Sequence, residues 1–210
     1  MSKREETIVM PAISSELVKQ LREKTSAGMM DCKRALEEAG GDMDAAVEYL
    51  RKKGAATAAK RADRETNQGV VEAYIHAGGR IGSMVELNCE TDFVAKTPQF
   101  KSLAHDIAMQ IAAMNPQFIS RDNVSKELLD KELEIYKTQA ENEGKPSNIA
   151  EKIAQGRLEK FYQEVCLMEQ SFIKDSGKTI KDLIDESIAA IGEKISIRRF
   201  QRFHLGEESK

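Results

Sequence analysis

Apolar positions recur at two spacings along this chain, a helical one and a strand-like one, and they change over at defined turn residues. Near the start Leu17, Val18 and Leu21 share a helical face behind Ser14-Ser15-Glu16, and the run stops at Ser26-Ala27-Gly28. A second helix is predicted over 30–39, halted by Gly40-Gly41. Asp42 caps a third, with Ala46, Val47 and Leu50 inward and Gly54 as its end. Residues 13–54 therefore form a compact three-helix domain after an N-terminal tail, 1–12. The Ala-rich, charged segment 55–68 reads as a partly helical linker. Then the period drops to two. Residues 70–76 and 80–88 alternate as strands around Ala77-Gly78-Gly79, a hairpin signal, with Val85 and Leu87 on one face and Met84, Glu86 and Asn88 on the other. Thr97-Pro98 reads as an N-cap and first-turn proline. The helix after it carries Phe100, Leu103, Ala104, Ile107, Ala108 and Ile111 on one stripe until Asn115-Pro116. Two long charged helices, 122–143 and 147–167, flank Gly144-Lys145-Pro146 and suggest an antiparallel helical hairpin. A further helix near 179–190 precedes Ile195-Ser196-Ile197-Arg198-Arg199-Phe200, which alternates again and returns to the first sheet. The fold class is α+β: a three-helix domain, then a core domain, 69–210, of a small antiparallel sheet packed with helices and a coiled-coil hairpin at about 122–167.

Composition narrows the function classes. The chain has 210 residues, 40% of them hydrophobic and 32% charged, with a net charge of -3, so no global field draws it to nucleic acid or an anionic membrane. No apolar run reaches membrane-span length, and the start is polar, so a cytoplasmic protein is expected. Cys32, Cys89 and Cys166 are far apart and lack the paired spacing of zinc or redox sites, which makes them buried, reduced thiols. His76, His105 and His204 fall in different elements and form no metal motif. Gly177-Lys178-Thr179 resembles the end of a phosphate loop but has Phe172 where that loop needs glycine. No nucleophile–base pair is recognisable, so neither enzyme chemistry, a metal nor a cofactor is expected. With no Trp and 5% aromatic residues, direct nucleic-acid binding has few stacking surfaces.

The stretch Asn88-Cys89-Glu90-Thr91-Asp92-Phe93-Val94-Ala95-Lys96 sets an acid beside a phenyl ring where a strand runs into a turn. A Thr-Asp-Phe on its own is read more readily as closing the core beneath a loop than as facing a partner. Together with the run from Leu21 to Leu36, which contains Thr25-Ser26-Ala27-Gly28-Met29-Met30-Asp31-Cys32, it resembles the elongation factor Ts family. The likeness covers nearly all of the chain from Ile13.

The resemblance implies an exchange factor for the GTPase elongation factor Tu, with an N-terminal domain similar to a ubiquitin-associated fold. By that resemblance Thr91, Asp92, Phe93 and Val94 match the segment that disturbs the partner's Mg2+ site. Arg22, Met29 and Met30 match positions that grip a helix of its nucleotide domain. The Met pair taken alone reads as core. His76 corresponds to a hairpin position touching another partner domain. Longer family members have two copies of the hairpin-bearing module where this chain has one, so a homodimer is expected, paired through the exposed sheet or the helical hairpin. Ser26 stands where the family usually has Gly. The rival reading, from a different class, is an RNA- or ribosome-associated chaperone served by Arg198, Arg199, Arg202 and the charged hairpin.

Overall fold

The computed structural model describes residues 13–207; the tail assigned to 1–12 lies outside them. The described chain packs as two compact units, one of 13–64 with 184–194 and one of 65–183 with 195–207. The grouping of 184–194 with the N-terminal helices is not visible in the order of elements along the chain.

In the first unit α1 (Ser15–Thr25) starts at Ser14, whose hydroxyl accepts the Leu17 N–H at 3.2 Å. Helix α2 spans Met29–Glu38, and α3 (Met43–Lys60) starts at Asp42, which accepts the Ala45 N–H at 2.8 Å. Val18, Leu21, Cys32, Ala35, Leu36, Ala46 and Leu50 meet in one core. Gly54 does not end α3, contrary to the sequence expectation. A Cβ added there would stand 3.4 Å from the Asp185 carbonyl oxygen, so this glycine serves a close backbone approach within the unit. The helix runs on to Lys60, through the first six residues of the segment read as linker. Beyond its end the Lys194 ammonium donates to the Ala62 and Arg64 carbonyls at 2.6 and 2.7 Å, fastening the turn that follows the helix. Ser26 ends α1 at φ +55°, a left-handed conformation that disfavours any Cβ. Ser26→Gly is therefore expected to raise the stability of this unit by about 1 kcal/mol, read from the thermal unfolding midpoint.

In the second unit β1 (Gln68–Ile75) and β2 (Ile81–Cys89) form the expected hairpin, with Gly78 and Gly79 at φ +90° and +67° in its turn. Strand β5 (Ile195–His204) pairs antiparallel with β2, giving the order β1-β2-β5. Between them come α4 (Asp92–Ala95), α5 (Pro98–Met114), α6 (Lys126–Asn142), α7 (Ser147–Val165), β3 (Ser171–Phe172), β4 (Asp175–Thr179) and α8 (Ile180–Ile191). Helix α5 lies across all three strands of the sheet. Its Phe100, Leu103, Ala104, Ile107, Ala108 and Ile111 are buried, as are Val85, Leu87, Ile195 and Ile197 on the sheet. Helices α6 and α7 pack together as the hairpin, turning at Gly144 with φ +80°. Near the hairpin tip Arg157 donates to Gln139 and Glu143 at 2.8 and 3.0 Å. At its base Arg121 grips Glu169 through two 2.9 Å bonds and lies 4.5 Å from the centre of the Tyr162 ring. The short β3–β4 hairpin has no counterpart in the sequence reading, and Gly177-Lys178-Thr179 lies on its second strand rather than in a phosphate-cradling loop.

Candidate functional site

The end of β2 converts directly into a helical turn. Cys89, fully buried, donates its thiol hydrogen to the Thr91 carbonyl at 3.1 Å. Thr91 is extended (φ -125°, ψ 154°), and its hydroxyl accepts the Val94 N–H at 3.4 Å, so it caps the single turn α4. The segment read from sequence as a loop is thus one turn of helix. Ala95, 6% exposed, anchors the inner side of that turn. At its far end Thr97 donates its hydroxyl to the Val94 carbonyl at 2.8 Å and accepts the Phe100 N–H at 3.3 Å. One threonine therefore closes α4 and opens α5. The Lys96 ammonium lies 2.6 Å from a carboxylate oxygen of Asp92, across the turn. That hydrogen bond, helped by the Phe93 and Asp92 backbone N–H groups, holds the Asp92 carboxyl below the usual aspartate range.

Phe93 points away from all of this and is 80% exposed. The ring does not close the core, which overturns the reading of Thr-Asp-Phe taken alone. An exposed Phe forgoes about 1.5 to 3 kcal/mol of burial, so α4 holds an apolar group ready for some other surface.

The remaining candidate residues lie elsewhere. Met29 and Met30 open α2 at 60% and 66% exposure, which excludes the core reading of that pair, and Arg22 is exposed on α1. The Arg22 carbonyl accepts the Ser26 N–H at 2.8 Å, placing Arg22 at the start of the turn that delivers both methionines. His76 is exposed beyond β1, its Nδ1 3.0 Å from the Tyr74 hydroxyl. Gln68 pairs with Cys89 at one end of the β1–β2 hairpin and Ile75 with Gly82 at the other, so His76 and Phe93 sit at opposite ends, roughly 25 Å apart at 3.3 Å per residue.

The exposed sheet expected from the sequence as one candidate dimer surface is present, and the structure supplies its residues. The sheet face turned away from α5 carries Val71, Ile75, Met84 and Phe203, all exposed, and Leu205 follows β5. In register, Ile75, Gly82 and Phe203 form one row, with Val71, Glu86 and Arg199 in another. The clue was Val70-Val71-Glu72-Ala73-Tyr74-Ile75, apolar on both faces of one strand. A register shift between Glu86 and Leu87 brings two arginines onto Glu86, Arg199 at 2.7 Å and Arg198 at 3.6 Å. The third, Arg202, turns instead to the Ala112 carbonyl and Glu207.

Among the described residues no three His, Cys, Asp or Glu side chains gather as a metal site, and no helix is long and apolar enough to cross a membrane. Cys32, Cys89 and Cys166 are buried and form no disulfide with one another. Burial pushes the Cys166 thiol up to about 11, which leaves it protonated and unreactive near neutral pH.

The sequence model of the family described as Elongation factor TS matches residues 12–207. Elongation factor Ts of Carboxydothermus hydrogenoformans is 65% identical over 195 residues, covering 93% of this chain and 90% of that protein. That of Desulforamulus reducens is 61% identical, covering 94% and 91%. That of Moorella thermoacetica is also 61% identical, covering 93% and 96%.

Proposed function

Since the chain belongs to the elongation factor Ts family of translation elongation factors, we propose that it is the guanine-nucleotide exchange factor for elongation factor Tu, working in the cytoplasm. It performs no covalent chemistry of its own. The observation that carries this reading is Phe93, 80% exposed on a turn capped at both ends. Such a ring enters an apolar crevice of the GTPase, and its burial stabilises the GTPase conformation that accepts it. Where that conformation displaces the partner's Mg2+ and phosphate contacts, GDP leaves faster. Thr91 and Val94 shape the turn that carries the ring, and Asp92 supplies polar contacts that fix its pose. Arg22, Met29 and Met30 provide a second grip on the nucleotide domain, where the flexible thioethers adapt to a helix surface. His76, at the far end of the hairpin, meets another domain of the partner.

Linkage makes the reading testable without measuring a rate. If the factor weakens GDP binding, GDP weakens factor binding by the same ratio, at about 1.4 kcal/mol per tenfold. Calorimetric titration into nucleotide-free elongation factor Tu is expected to give tight binding that loosens as GDP is added. Equal affinity with and without GDP overturns the exchange role.

We also propose that the exposed sheet face pairs with a second copy of the chain. Its apolar row, Ile75 with Phe203, and its mixed-charge row, Glu86 with Arg198 and Arg199, give a face that can complement itself about a two-fold axis. Light scattering is expected to report twice the 23.5 kDa chain mass, and Phe203→Asp to return it to a monomer. A monomer from the unaltered chain at micromolar concentration contradicts the dimer.

A further inference from the structure

A single helical turn is the least self-sufficient element in a protein, because nucleation fixes several dihedrals for one hydrogen bond. The turn that carries Phe93 has two ends tied into the fold, through Cys89 and Thr91 before it and Thr97 after it. Between those ties only Ala95 is buried. A bond between two side chains also spans the turn, the 2.6 Å contact from Lys96 to Asp92, in the i, i+4 arrangement. Both partners are partly solvent-facing, 73% for the lysine side chain and 49% for the aspartate, so the pair adds little to the stability of the whole domain. Its effect is local. Unfastened, the Asp92 carboxylate and the backbone beneath Phe93 sample more states, and docking the ring then requires ordering them.

We infer that Lys96 is a positioning residue for exchange: by clasping Asp92 it holds the α4 turn closed, so that Phe93 is presented already ordered to the partner. The inference rests on the role proposed above for Asp92 and Phe93, and it assigns Lys96 no contact of its own with the GTPase. Asp92 and Lys96 therefore act as one unit, and the lysine's contribution exists only while residue 92 is an acid.

Two measurements test this. In the free protein, amide hydrogen exchange at Val94 and Ala95, whose N–H groups bond Thr91, is expected to quicken about two- to fivefold in Lys96→Gln, with the global unfolding midpoint unchanged. Unchanged exchange at those amides overturns the inference whether or not the partner assay succeeds. In GDP release from elongation factor Tu, Lys96→Gln is expected to act about two- to fivefold more slowly than the unaltered chain. Lys96→Arg is expected to restore most of the rate. In an Asp92→Asn background Lys96→Gln is expected to cause no further loss. Losses that multiply in the double variant would make Lys96 an independent partner contact and overturn the positioning role. If the unaltered chain releases no GDP, the exchange reading fails, while the amide measurement still decides whether Lys96 orders the turn.

Discussion

Phe93→Ala is expected to slow factor-stimulated GDP release from elongation factor Tu by about ten- to a hundredfold while leaving the fold intact. The rate effect is the burial energy of a phenyl side chain, about 1.5 to 3 kcal/mol, converted at about 1.4 kcal/mol per tenfold. The absence of a folding effect follows from the ring's 80% exposure, because removing atoms that face water leaves no cavity and costs within about 0.5 kcal/mol. Stopped-flow release of a fluorescent GDP analogue reads the first part, and a thermal melt of the variant alone reads the second. A melt lowered as far as by a core truncation would place the ring in the core after all.

Phe100→Ala makes the opposite prediction seven residues along. That ring has no exposure and stands in the first turn of α5, directly after the Thr97 cap, where it packs among the residues between helix and sheet. Truncating a buried Phe costs about 3 to 5 kcal/mol through lost transfer energy and the cavity left behind. A small domain has about 5 to 15 kcal/mol in total, so the second unit is expected to unfold at much lower denaturant or temperature. Because Thr97 joins α4 to α5, a loosened α5 start also loosens the turn that carries Phe93. Exchange activity is expected to fall with the fraction unfolded, in contrast to Phe93→Ala, which loses activity while folded. Denaturant titration of the two variants side by side separates them.

The contrast between these two rings shows what patterning along the chain can and cannot convey. Phe100 was legible as core because Leu103, Ala104, Ile107 and Ile111 repeat its phase over about three turns, and the Thr97-Pro98 start is written in the residues themselves. The β1–β2 hairpin was legible through Gly78-Gly79, and β5 through Ile195-Ser196-Ile197. Phe93 had no such support. One helical turn is too short to have a period, so the residues alone favoured the core, and only resemblance to a family favoured the surface. The β3–β4 hairpin was hidden for a related reason, since strands of two and five residues with the sequence Asp-Ser-Gly-Lys-Thr carry no alternation. Gly54 misled because glycine both ends helices and permits close backbone approach, and the Asp185 backbone that distinguishes the two roles is 131 residues away in the chain. An exposed sheet was expected, but its residues were not legible, because Val71 and Ile75 are ordinary strand residues whose exposure depends on which side α5 covers.

The exchange role proposed for this chain is the opening of a partner GTPase's nucleotide site. It is tested most directly by preloading elongation factor Tu with a fluorescent GDP analogue in the presence of Mg2+ and adding the chain at a tenth of the GTPase concentration together with excess unlabelled GDP. Complete, accelerated release is expected, each molecule of factor serving many of the GTPase. Release at the unassisted rate, with the factor folded, would contradict it.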